Sequence, residues 1–262
     1  MSVRSTVLVT GASSGIGAVY ADRFARRGHD LLLVARDSGR MERLADRLRR
    51  EAGVRVEVLQ ADLTNERDLG RVEQRLRTDA RIGVLVNNAG ATAPGGFLDQ
   101  SGPEISGLIA LNITALTRLA NAVAPRLAAA GDGAIINLGS IVGLAPEIGL
   151  TVYGATKAFV LFLTQGLNLE LGPKGVYVQA VLPSATRTEI WERSGRDVNA
   201  LPAVMETEEL VDAALVGFDR RETVTIPPLP EAGQWSAFEA ARQAMLPNFT
   251  QTHAAERYRS AA

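Results

Sequence analysis

Tyr153 and Lys157 stand four residues apart in the segment YGATK, inside a stretch that predicts a helix. Four residues are about one helical turn, so both side chains lie on one face. A phenol has an ordinary pKa of about 10, which is too high for efficient proton transfer near neutrality, and a neighbouring cation lowers it. The pair could therefore exchange a proton with a substrate, with Tyr153 as the reacting group and Lys157 lowering its pKa. The structural alternative is an ordinary exposed tyrosine and lysine, which are unremarkable at this spacing in isolation.

A glycine-rich turn offers a second kind of chemistry. Residues 9–17 read VTGASSGIG and connect an apolar run to a predicted helix. Glycines let a backbone approach a ligand closely, and a helix N-terminus attracts pyrophosphate, so this arrangement is typical of the first unit of a dinucleotide-binding fold. The spacing is G-x-x-x-G-x-G rather than the common G-x-G-x-x-G. A tight turn of small packing residues is the structural alternative.

The same turn also spells G-x-S-x-G, the nucleophile elbow of a hydrolase, with Ser13 as the nucleophile. That mechanism needs a histidine after Ser13, and the sequence has two, His29 and His253. His29 follows Gly28 at a predicted helix end, and His253 lies in a polar tail. Both are therefore expected to be surface or capping residues, which leaves a serine hydrolase as a remote alternative.

The elements that must position these residues alternate along the chain. We predict strands at 5–10, 30–35, 54–60, 83–87, 133–138, 175–182 and 223–226. We predict helices near 15–28, 38–52, 65–79, 101–129, 151–171, 207–219 and 231–245. The alternation predicts an α/β fold, a doubly wound, seven-stranded parallel sheet with helices on both faces. Without a break in composition, we expect a single domain over 1–262, with 184–205 inserted as a lid over the substrate.

The composition excludes several classes of site. The 262 residues carry a formal net charge of −1, so no strong field attracts nucleic acid or an anionic membrane. With no cysteine and two histidines, the chain offers no thiolate ligand and no histidine-rich metal site. We expect no metal, and no membrane span because no apolar run reaches about 18 residues. No signal-peptide layout precedes the first strand, so we expect a cytoplasmic protein.

Several motifs follow one another along the chain: Thr10–Gly17, Asp62-Leu63, Asn87-Asn88-Ala89-Gly90, Asn112, Ser140, Tyr153 and Lys157. With these motifs in this order, the chain resembles the classical short-chain dehydrogenase/reductase family from about residue 3 to about residue 226. The resemblance implies an oxidoreductase acting on a CH–OH group, which transfers a hydride between a nicotinamide and a carbonyl or alcohol. A catalytically silent dinucleotide-binding or scaffold protein of the same fold is the alternative.

The resemblance also implies residue roles. Tyr153 would give its proton to the carbonyl oxygen, Ser140 would hydrogen-bond that oxygen, and Lys157 would also hold the nicotinamide ribose. Asn112 would support a water linking Lys157 to solvent; the structural alternative is an asparagine inside a helix that bonds to backbone. The predicted cofactor contacts are Gly11, Ser13, Ser14, Gly15, Ile16, Gly17, Arg36, Asp62, Leu63, Asn88, Ala89, Gly90, Tyr153, Lys157, Pro183 and Thr188.

Arg36 decides the predicted cofactor. It lies 19 residues after Gly17 at the end of the second strand, where an NAD enzyme carries an acidic residue. A guanidinium matches phosphate geometry, so we expect NADP(H). Asp37 could instead take a ribose hydroxyl, but its position before Ser38 favours helix capping. The family usually has Pro-Gly where this chain has Pro183-Ser184, and because serine resists positive φ we expect this turn to differ slightly.

Apolar residues predict the substrate and the assembly. We expect 141–146, Ile148, 95–97, Ile190 and Trp191 to line a mainly apolar cleft, with a polar contact from Arg187 or Glu189. Residues 158–163 and much of 108–124 are apolar around the whole helix. One stripe packs on the sheet and another needs a cover, so we expect a homodimer or homotetramer with 151–171 at an interface. The tail 231–262 could instead cover that stripe within one chain.

Overall fold

The computed structural model describes residues 5–193, 195 and 197–259 of the chain. Contacts divide the chain into two units, Met1–Pro227 and Pro228–Ala262. The first unit contains a seven-stranded sheet in the order β3-β2-β1-β4-β5-β6-β7. All neighbouring strands are parallel. The strands are β1 Thr6–Thr10, β2 Leu31–Ala35, β3 Val56–Gln60, β4 Ile82–Asn87, β5 Ala134–Leu138, β6 Tyr177–Val181 and β7 Val224–Thr225.

Helices cover both faces of this sheet. They are α1 Gly15–Arg26, α2 Ser38–Ala52, α3 Glu66–Thr78, α4 Gly102–Ile109, α5 Leu116–Ala130, α6 Thr151–Leu171, α7 Ile190–Arg193 and α8 Thr207–Asp219. Successive residues of a strand point to opposite faces, and the core divides accordingly: Val7 and Val9 belong to one buried cluster and Leu8 to the other. The predicted doubly wound fold is confirmed, with the strands displaced by no more than two residues.

The helix predicted at 101–129 is not a uniform α-helix. A π-helical segment, Ala110–Ala115, separates α4 from α5 without breaking the helical path. The whole stretch Gly102–Ala130 has the length and hydropathy of a membrane-crossing helix, and 44% of its most apolar window is buried. Length and composition alone therefore do not exclude a span, contrary to the sequence-based expectation. The same test is passed by core helices, and α5 packs Leu119 and Val123 into the core.

The second unit holds a helix, α9 Ala232–Ala244, followed by two short 3-10 helices, Leu246–Thr250 and Glu256–Tyr258. Within α9, the rings of Trp235 and Phe238 stack with their centroids 5.4 Å apart. The single domain over 1–262 stays a prediction. Residues 194 and 196 of the predicted lid, 260–262 of the tail and the start of the chain at 1–4 lie outside the described residues.

Candidate active site

A cleft of about 430 Å³ opens at the carboxyl ends of the strands. The chain proceeds outward from β1 through β2 to β3 and then continues with β4 on the other side of β1, so the connections diverge above β1 and β4. Such switch points are where open α/β sheets bind ligands. All predicted cofactor residues except Gly17 line the cleft, and Ser140 lines it with them. Asn112 is the other predicted site residue that does not.

The glycine turn forms one wall of the cleft. Gly11 and Gly15 have positive φ values of 65° and 53°, which other residues rarely adopt. Gly17 lies behind the turn, where a Cβ would come within 2.4 Å of the Gly11 carbonyl oxygen. Ser14 precedes the first turn of α1, and its side chain makes no capping hydrogen bond. The N–H groups of that turn therefore remain available to an anion in the cleft.

Thr10 ties this wall to β4, a role that the sequence analysis did not find. Its hydroxyl donates to the Val86 carbonyl oxygen at 3.2 Å and accepts from the backbone N–H groups of Asn88 and Ala89 at 2.9 and 3.0 Å. The Asn88 amide donates to the Thr10 carbonyl oxygen at 2.8 Å. Asn87 points elsewhere, because its amide donates to Asn137 Oδ1 at 3.0 Å inside the sheet layer.

Tyr153, Lys157 and Ser140 meet at the floor of the cleft. Lys157 is only 5% exposed, and its Nζ donates to the Leu138 carbonyl oxygen at 2.7 Å. This Nζ lies 5.6 Å from the centre of the Tyr153 ring. The Ser140 hydroxyl donates to the Pro183 carbonyl oxygen at 3.3 Å and accepts from the Val142 N–H.

Burial sets the protonation states of this group. It lowers the pKa of Lys157 to about 8, because the ammonium is removed from water. It raises the pKa of Tyr153 to about 12, and the hydrogen bond with Ser140 only partly opposes this effect. The expectation that the tyrosine pKa lies below its ordinary value is therefore wrong for this structure, since desolvation of the phenolate prevails. At neutral pH Tyr153 is a neutral phenol and Lys157 is mostly an ammonium.

Asn112 lies in the π-helical segment and bonds to backbone, as the alternative interpretation held. Its Oδ1 accepts from the Ala91 N–H at 2.9 Å, and its Nδ2 donates to the Ala91 carbonyl oxygen at 2.9 Å and to Thr156 Oγ1 at 3.1 Å. The Thr156 hydroxyl donates in turn to the Tyr153 carbonyl oxygen at 2.7 Å. Asn112 thus connects the loop after β4 to the helix that carries the reactive pair. The water link stays a prediction.

Arg36, Asp37 and Asp62 line the other end of the cleft. Burial would raise the pKa of Asp62, but hydrogen bonds from Thr64 and the charge of Arg36 hold it below its ordinary value. Asp37 caps α2 by accepting from the Arg40 N–H at 2.9 Å, which confirms its predicted capping role. Arg36 is exposed, so its guanidinium stands where a phosphate can reach it.

Residues 184–191, which we call the strap, follow β6 along the cleft. Thr188 packs on the glycine turn, where a Cβ at Gly15 would lie 3.0 Å from its Cγ2. Glu189 pairs with Arg40, with 2.6 Å between Oε1 and Nη1. Ser184 has no positive φ, since among the described non-glycine residues only Leu150 and Arg221 do. The turn that was expected to differ is therefore made without left-handed backbone.

The apolar cleft is only partly as predicted. Ile190 and Trp191 line the described cleft, whereas 95–97, 141–146 and Ile148 do not. Phe97 and Ile148 are 60% and 52% exposed. No group of three or more potential metal ligands occurs among the described residues.

Comparisons with known proteins agree with this geometry. A model of the short chain dehydrogenase family matches residues 5–199. The chain is 67% identical to a short-chain dehydrogenase from Sphingobium yanoikuyae whose structure is in complex with NADPH, with a TM-score of 0.96 over 97% of this chain and 100% of that one. It is 60% identical to the bulky-bulky ketone specific alcohol dehydrogenase from Comamonas testosteroni, with a TM-score of 0.91 over 97% and 98%.

Curated relatives are more distant. Sulfoacetaldehyde reductase 2 from Chromohalobacter salexigens is 36% identical over 249 residues, which are 90% of this chain and 98% of that protein. Other relatives are longer. The chain spans 61% of the length of 17-beta-hydroxysteroid dehydrogenase type 3 from Rattus norvegicus and 58% of that of very-long-chain 3-oxoacyl-CoA reductase-A from Danio rerio.

Proposed function

The chain belongs to the short-chain dehydrogenase family, and on that premise we propose that it is an NADP(H)-dependent oxidoreductase that interconverts a carbonyl compound and an alcohol. One observation carries the proposal: Ser140, Tyr153 and Lys157 meet in the same cleft that the glycine turn lines. A dinucleotide bound along this turn would have its reactive end beside a proton donor. The nicotinamide supplies or accepts the hydride when bound.

The protein's own part is to hold the substrate oxygen and to move a proton. Tyr153, neutral because its pKa is raised to about 12, donates its proton to the carbonyl oxygen during reduction. Ser140 turns its hydroxyl from the Pro183 carbonyl oxygen toward the same substrate oxygen. The ammonium of Lys157, held by the Leu138 carbonyl oxygen, stabilises the phenolate that remains. The neutral phenol is the form of Tyr153 that carries the proton needed for reduction.

The residues at the far end of the cleft fit a 2′-phosphate. Ala35 provides no carboxylate there, and the charged fork of Arg36 lines the cleft. Asp37 is engaged in capping α2, so it does not replace the acidic residue of an NAD enzyme. The Sphingobium relative, which has NADPH bound, supports the same choice.

We propose an apolar carbonyl substrate. Leu111, Ile190 and Trp191 give the cleft an apolar wall, and the Comamonas relative is specific for bulky-bulky ketones. The name of the Chromohalobacter relative points instead to a small anionic aldehyde. In the described cleft the cations are Arg36 and Lys157, and the proposal assigns both to cofactor contact or proton transfer. A small anion would therefore lack a partner of its own.

A panel of carbonyl compounds, followed by oxidation of NADPH, tests the proposal. We expect turnover of aromatic and other apolar ketones, and little turnover of sulfoacetaldehyde. Tyr153→Phe is expected to lower kcat about 10²- to 10⁴-fold while NADPH binding persists. NADPH binding by wild type without turnover of any carbonyl would favour the silent dinucleotide-binding protein. Hydrolysis of an activated ester that is lost in Ser13→Ala would favour the hydrolase.

The expected assembly also remains a proposal. On α6, Phe162 and Leu169 are 79% and 80% exposed and lie seven residues apart, so they share one face. Two large apolar side chains on one exposed helix face support a homodimer or homotetramer that buries them. The cytoplasm is the proposed location. The sequence has no cysteine, so it has no disulfide that would require an oxidising compartment.

A further inference from the structure

The strap crosses most of the sheet. In the strand order, β1, β4 and β5 lie between β2 and β6, so the ends of β2 and β6 are four strand spacings apart, about 19 Å. The strap leaves β6 at Pro183, and six residues later Glu189 contacts Arg40, which lies in the first turn of α2 just after β2. The strap bends at 185, 187 and 188, and the long side chains of Glu189 and Arg40 complete the span between the two rims of the cleft.

Two contacts mark its course. Thr188 lies against Gly15, above the glycine turn near the middle of the cleft. At the far rim, Arg40 Nη1 is 2.6 and 2.7 Å from the two carboxylate oxygens of Glu189. Nε of Arg40 also lies 3.5 Å from Asp37 Oδ2, and this contact keeps the guanidinium at the N-terminal end of α2. Both charged side chains are partly exposed, at 41% and 37%.

We propose that the Arg40–Glu189 ion pair is a clasp that retains the dinucleotide by fastening the strap to α2. This inference rests on the proposed function, because it assumes that NADP(H) lies along the glycine turn beneath Thr188. A cofactor in that position leaves only after the strap detaches from α2. Arg40 and Glu189 are thus positioning residues that govern the rate of cofactor release rather than hydride transfer.

The competing interpretation is that Arg40 is a ligand of the 2′-phosphate. The two differ in what they predict for NADH, which has no such phosphate. A clasp slows the release of both coenzymes equally, whereas a phosphate ligand affects NADPH alone. The two interpretations also differ in what they predict for the double variant. If the ion pair is a clasp, neutralising Glu189 already opens it, so removing the charge of Arg40 as well has no further effect.

The test measures dissociation rates of NADPH and NADH by stopped-flow fluorescence in wild type, Glu189→Gln, Arg40→Gln and the double variant. We expect each single variant to release both coenzymes about two- to fivefold faster, the range typical of a partly exposed ion pair. The double variant should be no faster than either single one. Added salt should speed the release of NADH, which lacks the 2′-phosphate, more from wild type than from Glu189→Gln.

Asp219→Asn is the matched control. It breaks the Arg27–Asp219 pair, which is 2.8 Å long, similarly exposed and located between α1 and α8, and it should leave both rates unchanged. Without any coenzyme, amide hydrogen exchange in 184–192 should be faster in Glu189→Gln than in Asp219→Asn. Unchanged release or exchange in Glu189→Gln would overturn the clasp. So would an Arg40→Gln effect confined to NADPH. A wild type that binds neither coenzyme would overturn the proposed function, and the clasp with it.

Discussion

Replacing Lys157 with methionine is expected to preserve or raise the stability of the fold while it abolishes carbonyl reduction. The ammonium is 5% exposed, and the Leu138 carbonyl oxygen at 2.7 Å is its hydrogen-bond acceptor in the described structure. Burial lowers its pKa from 10.5 to about 8. A shift of this size corresponds to about 3 kcal/mol of unfavourable desolvation at neutral pH.

Methionine removes this cost but leaves the Leu138 carbonyl oxygen without its donor. An unsatisfied buried acceptor costs about 1–3 kcal/mol. The net change in the free energy of unfolding should therefore lie between about 0 and +2 kcal/mol, which is a rise in Tm of up to about 5 °C. Turnover should fall sharply, because no cation then stabilises the phenolate of Tyr153.

The stability of Lys157→Met relative to wild type should change sign with pH. A lowered pKa means that the folded protein binds the proton less tightly than the unfolded chain does. The desolvation cost is thus fully present below about pH 8 and disappears as pH rises toward 10.5. Relative to wild type, Lys157→Met should be most favoured at pH 7. By pH 10.5 it should be the less stable protein, because only the lost hydrogen bond remains.

Thermal and urea unfolding at pH 7 and pH 10.5 measure this difference. The sequence has one other lysine, Lys174, which is exposed and provides the control. Lys174→Met should change neither stability nor turnover. A drop in Tm of several degrees for Lys157→Met at pH 7 would refute the reasoning, since it would show that the buried ammonium stabilises the fold.

Three other predictions concern separate parts of the molecule. Arg36→Ala should weaken NADPH binding about 10- to 150-fold, which corresponds to the loss of a desolvated charged hydrogen bond, and should leave NADH binding unchanged. Equal affinity of wild type for both coenzymes would contradict this prediction. Phe162→Glu should convert the oligomer to a protein of about 28 kDa in light scattering, and wild type already at that mass would refute assembly. Gly17→Ala should unfold at lower temperature and bind neither coenzyme well, because its Cβ would meet the Gly11 carbonyl oxygen at 2.4 Å; unchanged affinity would contradict the close packing.

The fold could be predicted because its signals are local and repeated. Each buried strand carries side chains into two cores, as Val7 and Leu8 do, so the strands are apolar on both faces. The helix boundaries follow from capping residues such as Asp37 and Asn65, whose side chains accept hydrogen bonds from the turns they precede. The π-helical segment Ala110–Ala115 escaped prediction, because the hydrophobic pattern of a helix does not distinguish an i to i+4 from an i to i+5 ladder.

The site was predictable in its membership but not in its electrostatics. Strand ends of a parallel sheet meet at one edge, so Ser140 after β5 and Asn88 after β4 had to lie near the glycine turn. The four-residue spacing of Tyr153 and Lys157 correctly predicted that their side chains lie close together. It could not give the depth of burial, and burial reverses the expected shift in the pKa of Tyr153. The sign of a pKa shift thus depends on solvent exclusion by other segments, which no local pattern reports.

The contact between the strap and α2, like the pKa of Tyr153, depends on segments that are distant in the sequence. Arg40 and Glu189 are separated by 149 residues, and each has an unremarkable surface role in its own sequence context. What brings them together is the strand order, which puts β2 and β6 on opposite sides of β1 and β4 and obliges any segment that leaves β6 toward α2 to cross the cleft. The pairing of Thr186 with Met205 holds the middle of the strap, and the ion pair with Arg40 attaches its far end to α2. Loss of that attachment should loosen the strap without disturbing Ser140, Tyr153 or Lys157, so cofactor release and hydride transfer can vary independently in this fold.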